Sequence, residues 1–184
     1  MIINIAVIRV NFAKGDVPAT NLSANVDLSY FFRTFATVLL NKNMKTYLVT
    51  GAAGFMGANY IKYILAKHED VRVVVLDALT YAGNIKTIKD DIDGERCIFV
   101  RGNICDEGLV NQLFKDYNFE YVVNFAAGRH VDRSIENPQL FLQTNILGTQ
   151  NLLDAARRAW VTGKDAQGYP IWRDDVRYHQ VSTD

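Results

Sequence analysis

From Met44 onward, short β-rich apolar runs alternate with stretches of helical period. "TYLVT" (46–50) predicts a first strand, and "ANYIKYILAKH" (58–68) predicts a helix after an intervening glycine run. "VRVVVLD" (71–77) is almost continuously apolar, as expected of a strand buried on both faces of a parallel sheet. "RCIFVRG" (96–102) predicts a third strand, followed by "DEGLVNQLFKDY" (106–117) as a helix. "EYVVNFAA" (120–127) predicts a fourth strand. Asn137 and Pro138 then suit an N-cap and a first helical position. The helix they open is expected to run to about Trp160, with Leu140, Phe141, Leu147, Leu152 and Ala155 on one side. "VRYHQVST" (176–183) predicts a fifth strand, and the charges at 173–175 read as a solvated loop before it. Strand and helix in alternation predict an α/β fold, a doubly wound parallel sheet of Rossmann-like type.

The first 43 residues break this pattern. "LSYFFRTFATVLL" places Leu28, Phe31, Phe32, Phe35 and Leu39 at helical spacing, but Arg33 interrupts a stretch too short to span a bilayer. It could be a docking or membrane-surface helix. The expectation is upstream sequence read in frame, with Met44 the natural start. Residues 1–43 thus read as an N-terminal extension outside the fold, and 44–184 as the domain.

Composition narrows the chemistry. Charged residues make up 22% and balance at 20 of each sign, so neither nucleic acid nor an anionic membrane is expected as partner. Cys97 and Cys105 lack metal-ligand spacing and read as reduced thiols of a cytoplasmic protein, with no metal expected.

Gly51, Gly54 and Gly57 sit between the first strand and the first helix, in the spacing GxxGxxG. Glycine at 51 permits a tight turn, at 54 lets the backbone approach a pyrophosphate, and at 57 lets helix and strand pack closely. The helix N-terminus then offers free N–H groups to the phosphates. Asp77, ending the second strand, stands where an acidic residue bonds the adenosine ribose hydroxyls and repels a 2′-phosphate. A dinucleotide is expected, and NAD over NADP.

Four further stretches are more specific: "LDALTYAGN" (76–84), "GNICD" (102–106), "NFAAGRHVDRSIENP" (124–138) and "TNILGTQNLLDAAR" (144–157). With "YHQVSTD" (178–184) they resemble the extended short-chain dehydrogenase/reductase superfamily and, within it, the dTDP-glucose 4,6-dehydratase family. That family turns dTDP-glucose into dTDP-4-keto-6-deoxyglucose and water. The resemblance covers Met44 to Asp184 and implies a homodimer for the complete enzyme. It implies that Phe55 and Met56 lie at the pyrophosphate turn and Asp77, Ala78, Leu79 and Thr80 around the adenosine ribose. Asn103 and Ile104 would contact adenine, with Asn103 replacing an aspartate but keeping an acceptor. Phe125, Ala126, Ala127 and Gly128 would pass along the cofactor, and Thr144 would reach it from the long helix. Thr183 matches the residue that binds the hexose 4-hydroxyl, and Asp184 the general acid of dehydration.

Two departures stand out. The family reads "AAESHVDRS" where this chain has Gly128 and Arg129, and the arginine could clash with substrate or bind its diphosphate. The family also continues past "STD" with a glutamate, a YxxxK helix and a sugar-nucleotide domain. The 184 residues are therefore expected to bind NAD as a truncated fold without catalysing dehydration. His130 and Asp132 are expected to order their loop. UDP-sugar 4-epimerases, on the same scaffold, are the alternative enzyme, and Asp184 argues against them. A non-catalytic NAD-binding protein is the alternative from another class.

Overall fold

The computed structural model describes residues 44–128, 135 and 137–182. Five parallel strands form the sheet: β1 (Lys45–Thr50), β2 (Val71–Asp77), β3 (Cys97–Arg101), β4 (Tyr121–Asn124) and, last in the chain, β7 (Arg177–Gln180). Their order is β3-β2-β1-β4-β7, with β1 central. Four lie within the runs predicted from the sequence, and β1 starts one residue before its run. The chain winds outward from β1 in both directions, so β1 and β4 flank the topological switch point where ligands of such sheets bind.

Helix α1 (Phe55–Lys67) covers one face, and α2 (Glu107–Tyr117) covers the other together with α4 (Thr149–Trp160). The apolar run of β2 serves both layers. Val73 and Val75 pack with Ile61 and Ile64 of α1, while Val74 and Leu76 pack with Val110 and Leu113 of α2 and Leu152 of α4. All four β2 side chains are at most 1% exposed, which explains why the strand shows no alternation. The Trp160 indole donates to the Phe119 carbonyl at 2.7 Å, anchoring the end of α4 beneath β4.

The long helix departs from expectation. Asn137 does cap α3 (Pro138–Leu142), accepting the Leu140 N–H, but a wide π-turn (Gln143–Gly148) separates α3 from α4. Such a turn holds an extra residue and shifts the phase of everything before it. Leu152 and Ala155 are buried as expected, whereas Leu140 and Leu147 are 51% and 56% exposed.

Two other features escaped the sequence reading. A hairpin, β5 (Val161–Lys164) and β6 (Pro170–Trp172), precedes β7, its turn held by Asp165, which accepts the Gln167 and Tyr169 N–H groups. The charges after it are not merely solvated. Arg173 bonds Asp175 at 2.8 Å and donates at 2.9 Å to Asn118, the left-handed cap of α2. Between β2 and β3 two single 3₁₀ turns (Ile85–Thr87 and Lys89–Asp91) stand where a full helix would fit, and they bury Ile88 against α1.

Asp93 organises the entry to β3. Its Oδ1 accepts the N–H groups of Glu95, Arg96 and Cys97, each at 2.8 Å. Burial raises its pKa, but these backbone bonds outweigh that and leave it below the ordinary aspartate value. A lowered folded-state value stabilises the fold above the unfolded value and is lost as pH falls through the folded one. Asp93→Ala is expected to cost about 1–2 kcal/mol at neutral pH, like the loss of a helix cap. The difference from the unmutated chain should shrink below about pH 4, as measured by urea unfolding across pH.

Candidate functional site

A cleft runs along the C-terminal ends of β1 to β4, enclosing about 860 Å³ with its open mouth included. Its floor is the turn after β1. Gly51 has φ +66, and a Cβ on it would lie 2.6 Å from the Ala126 nitrogen, so both conformation and space demand glycine there. At Gly57 a Cβ would lie 2.6 Å from the Ala52 Cα, so glycine lets α1 pack directly on the turn. Gly54 is the N-cap of α1 in an extended conformation and carries no side chain to bond the first-turn N–H groups. No acidic residue occupies that first turn. An uncapped, uncompensated helix N-terminus facing a cleft suits an anion.

Beside the turn, β2 ends at Asp77, 7% exposed, whose carboxylate accepts the N–H groups of Ala53 and Leu79 at 2.8 and 2.7 Å. It is the one charged side chain lining the cleft among the described residues. Ala78 and Thr80 also line it, as expected of a ribose subsite. Leu79 does not. Its side chain packs into the α1 layer and its backbone has φ +50.

Beyond β3, Asn103 and Ile104 form the far wall. The Asn103 Oδ1 accepts the Cys105 N–H at 3.0 Å, which leaves it one lone pair and the Nδ2 group for a ligand. Ile104 is 3% exposed and wedged against Gly148, where a Cβ would lie 2.6 Å away. Cys105, whose thiol meets the Gln143 carbonyl, has its pKa pushed up by burial. It is no ready nucleophile, and buried Cys97 is pushed up to about 12, first by burial.

The near wall is the exit of β4. Phe125, Ala126, Ala127 and Gly128 all line the cleft, and so does Thr144, presented by the π-turn. Two asparagines hold this segment. Asn124 Oδ1 accepts the Ala126 N–H at 3.2 Å, and Asn145 pairs with Gly128 through both its amide groups, at 2.7 and 3.2 Å. A Cβ at Gly128 would lie 2.8 Å from the Phe141 ring, so that ring closes the space a longer side chain would need.

The structure thus gathers Gly51, Gly54, Asp77, Ala78, Thr80, Asn103, Ile104, Phe125, Ala126, Ala127, Gly128 and Thr144 into one cleft. Phe55 and Met56 expose their side chains, 81% and 48%, leaving only their backbone at the turn. Arg129, Thr183 and Asp184, with His130 and Asp132, lie outside the described residues. Sequence reasoning missed Tyr81, Gly83, Leu140 and Phe141 as lining residues, and Asn145 as a clamp. Asn145 and Gly83 both sit inside quoted motifs, but their partners are distant in sequence. Among the described residues, no group of three or more His, Cys, Asp or Glu side chains could hold a metal ion.

Comparison with known proteins fits this geometry. Residues 48–184 match the family model described as GDP-mannose 4,6 dehydratase. The chain belongs to this family. It is 47% identical over 141 residues to the dTDP-glucose 4,6-dehydratase of Xanthomonas campestris pv. campestris, covering 77% of this chain and 38% of that protein. With the dTDP-glucose 4,6-dehydratase 1 of Escherichia coli K12 the identity is 41%, covering 74% and 36%. The chain therefore spans less than two-fifths of the length of these curated relatives. Among solved structures, the Bacillus anthracis dTDP-glucose 4,6-dehydratase in complex with NAD shows 32% identity and a TM-score of 0.59, over 76% of this chain and 37% of that one. A Thermus thermophilus UDP-glucose 4-epimerase in complex with NAD shows 27% and 0.55, over 71% and 45%.

Gly51 and Gly94 both have positive φ, but a Cβ on Gly94 would meet nothing within 4 Å. Gly94→Ala is expected to cost about 1–2 kcal/mol, the backbone penalty alone. Gly51→Ala should cost at least about 2 kcal/mol more, because β4 must move away, an overlap of the overpacking type. Chemical denaturation of both variants measures the difference, and equal losses would mean that the close approach is unimportant.

Proposed function

We propose that this chain is the NAD-binding portion of a nucleotide-sugar 4,6-dehydratase acting on dTDP-glucose. The observation that carries the reading is the pairing of an uncapped α1 N-terminus with the buried Asp77 carboxylate beside it at one end of the cleft. The first offers N–H donors to a pyrophosphate, and the second offers acceptors to a ribose diol. Relatives named as dTDP-glucose dehydratases, at 39–47% identity, favour this chemistry over that of the epimerase at 27%.

Bound NAD supplies the hydride acceptor and donor that the overall dehydration needs. The chain's own residues bind and orient. The glycine turn and the backbone at Phe55 and Met56 hold the pyrophosphate, and Asp77 with Thr80 grips the ribose. Asn103 and Ile104 take the adenine. Phe125 to Gly128, held from behind by Asn124 and Asn145, form the wall along the rest of the dinucleotide. Thr183 hydrogen-bonds the hexose 4-hydroxyl, and Asp184 protonates the departing 6-hydroxyl. Arg129 replaces a serine of the family, where a long cation could clash with the substrate or bind its diphosphate.

No cationic side chain lines the cleft among the described residues, so a 2′-phosphate would meet Asp77 without compensation. NAD is expected to bind more tightly than NADP. Asp77→Ala should weaken NAD by about 1.5–3 kcal/mol and narrow the gap. Calorimetry with both cofactors checks this, and equal affinities in the unmutated chain would refute the assignment.

The complete enzyme is proposed to be a homodimer. Exposed Leu142, Ile146, Leu147 and Leu153, spaced along the 138–160 segment, support a pairing surface there. Leu147→Glu combined with Leu153→Glu is expected to halve the mass read by light scattering. An unchanged dimer mass would rule this surface out.

A further inference from the structure

Both carboxylate oxygens of Asp77 are bonded to backbone: Oδ2 accepts the Ala53 N–H at 2.8 Å and Oδ1 the Leu79 N–H at 2.7 Å. These amides belong to different segments. Ala53 is in the glycine turn, and Leu79 is the second residue of the loop after β2, with φ +50, a region that bulky L side chains seldom adopt. The same loop returns to the turn from its other side. The Ala53 carbonyl accepts the Asn84 N–H at 3.0 Å and lies 3.3 Å from the Thr87 hydroxyl. Gly83 packs over the junction, where a Cβ would lie 2.8 Å from Asp77 Oδ1 and 3.1 Å from the Leu79 Cα.

From this arrangement we infer that Asp77 is a positioning residue as well as a ribose contact. Its carboxylate bridges the Ala53 and Leu79 amides, locks the glycine turn against the 78–84 loop, and shapes the phosphate end of the cleft. The inference rests on the NAD-binding reading above. An ionised carboxylate suits both tasks, because each oxygen keeps a lone pair for a ribose hydroxyl after accepting one N–H. An amide does not. Asparagine has one accepting oxygen, and its NH₂ group would face the other backbone donor.

The test compares Asp77→Asn with the unmutated full chain by calorimetry, using NAD and an NAD analogue whose adenosine ribose lacks both the 2′- and 3′-hydroxyls. The analogue has no hydroxyl to give Asp77, so a residue acting by contact alone leaves its affinity unchanged on substitution. A positioning residue weakens the analogue too, by about tenfold or more. The ligand-free variant should also exchange its Ala53 and Leu79 amide hydrogens faster, with far-UV circular dichroism unchanged. Equal analogue affinity together with unchanged exchange at both amides would overturn the inference. If the variant does not fold, exchange in the unmutated chain decides: protection of both amides supports the bridge, and exchange at free-peptide rates overturns it. Should the unmutated chain fail to bind NAD, the functional reading falls, and the same exchange measurement still decides the bridge.

Discussion

The close approach of β1 and β4 at the point where both strands end is the constraint on which the cleft depends. The Phe125 N–H donates to the Thr50 carbonyl at 3.1 Å, and the Thr50 hydroxyl donates to Asn124 Oδ1. One residue later the Gly51 Cα faces the Ala126 backbone with no room for a methyl group. Two walls of the cleft therefore diverge from a single contact. Asn124, fully buried, extends it outward, since its Nδ2 donates to Gln180 of β7 at 2.9 Å and lies 3.4 Å from the Thr149 hydroxyl of α4. A buried amide with all its groups engaged is worth more as a fixed joint than as a packing element, because leaving any of them unpaired would cost about 1–3 kcal/mol.

The second organising feature is the interrupted helix. An unbroken helix from Pro138 to Trp160 could bury one face on β4 and α2, but one helical phase cannot serve both the core and the cleft. The π-turn divides the tasks. Behind it, α4 buries Leu152, Ala155, Ala156 and Trp160. Ahead of it Phe141 reaches the cleft, and within it Thr144 does so while Asn145 grips the Gly128 backbone. The cost is exposed apolar surface at Leu142, Ile146 and Leu147. Gly148 permits the join, because any side chain there would collide with Ile104.

Charge is used sparingly around the site. The cleft combines backbone donors, apolar walls and one carboxylate, and the surface ion pair between Arg158 and Glu107, 3.6 Å apart and exposed, adds little to stability. Specificity toward the proposed dinucleotide would thus follow from where the backbone groups point more than from any field of the protein. Among the described residues no helix is long and apolar enough to cross a membrane.

The amino-acid sequence by itself determined the alternation of strand and helix, the five parallel strands, and the glycine turn and Asp77 at the phosphate end of the cleft. These signals are local: the glycines need a tight turn between adjacent elements, Asp77 ends its own strand, and β2 records burial on both faces in its composition. Family resemblance added Ala78, Thr80, Asn103, Ile104, Phe125 to Gly128 and Thr144, whose roles no local pattern carries. Tertiary structure alone decided the rest. The π-turn answers contacts of Asn145 with Gly128, 17 residues away, and of Gly148 with Ile104, more than 40 away, so the heptad-like pattern of Leu140 and Leu147 pointed to the wrong face. The β5–β6 hairpin is too short to outweigh its polar turn, and Arg173 looked solvated because its partner Asn118 is distant in sequence. Leu79 left the cleft because the Asp77 carboxylate holds its amide in a left-handed conformation, which no propensity of leucine encodes. Local chemistry is written residue by residue, but which side chain meets which backbone across the sheet edge is settled only when the strands have paired.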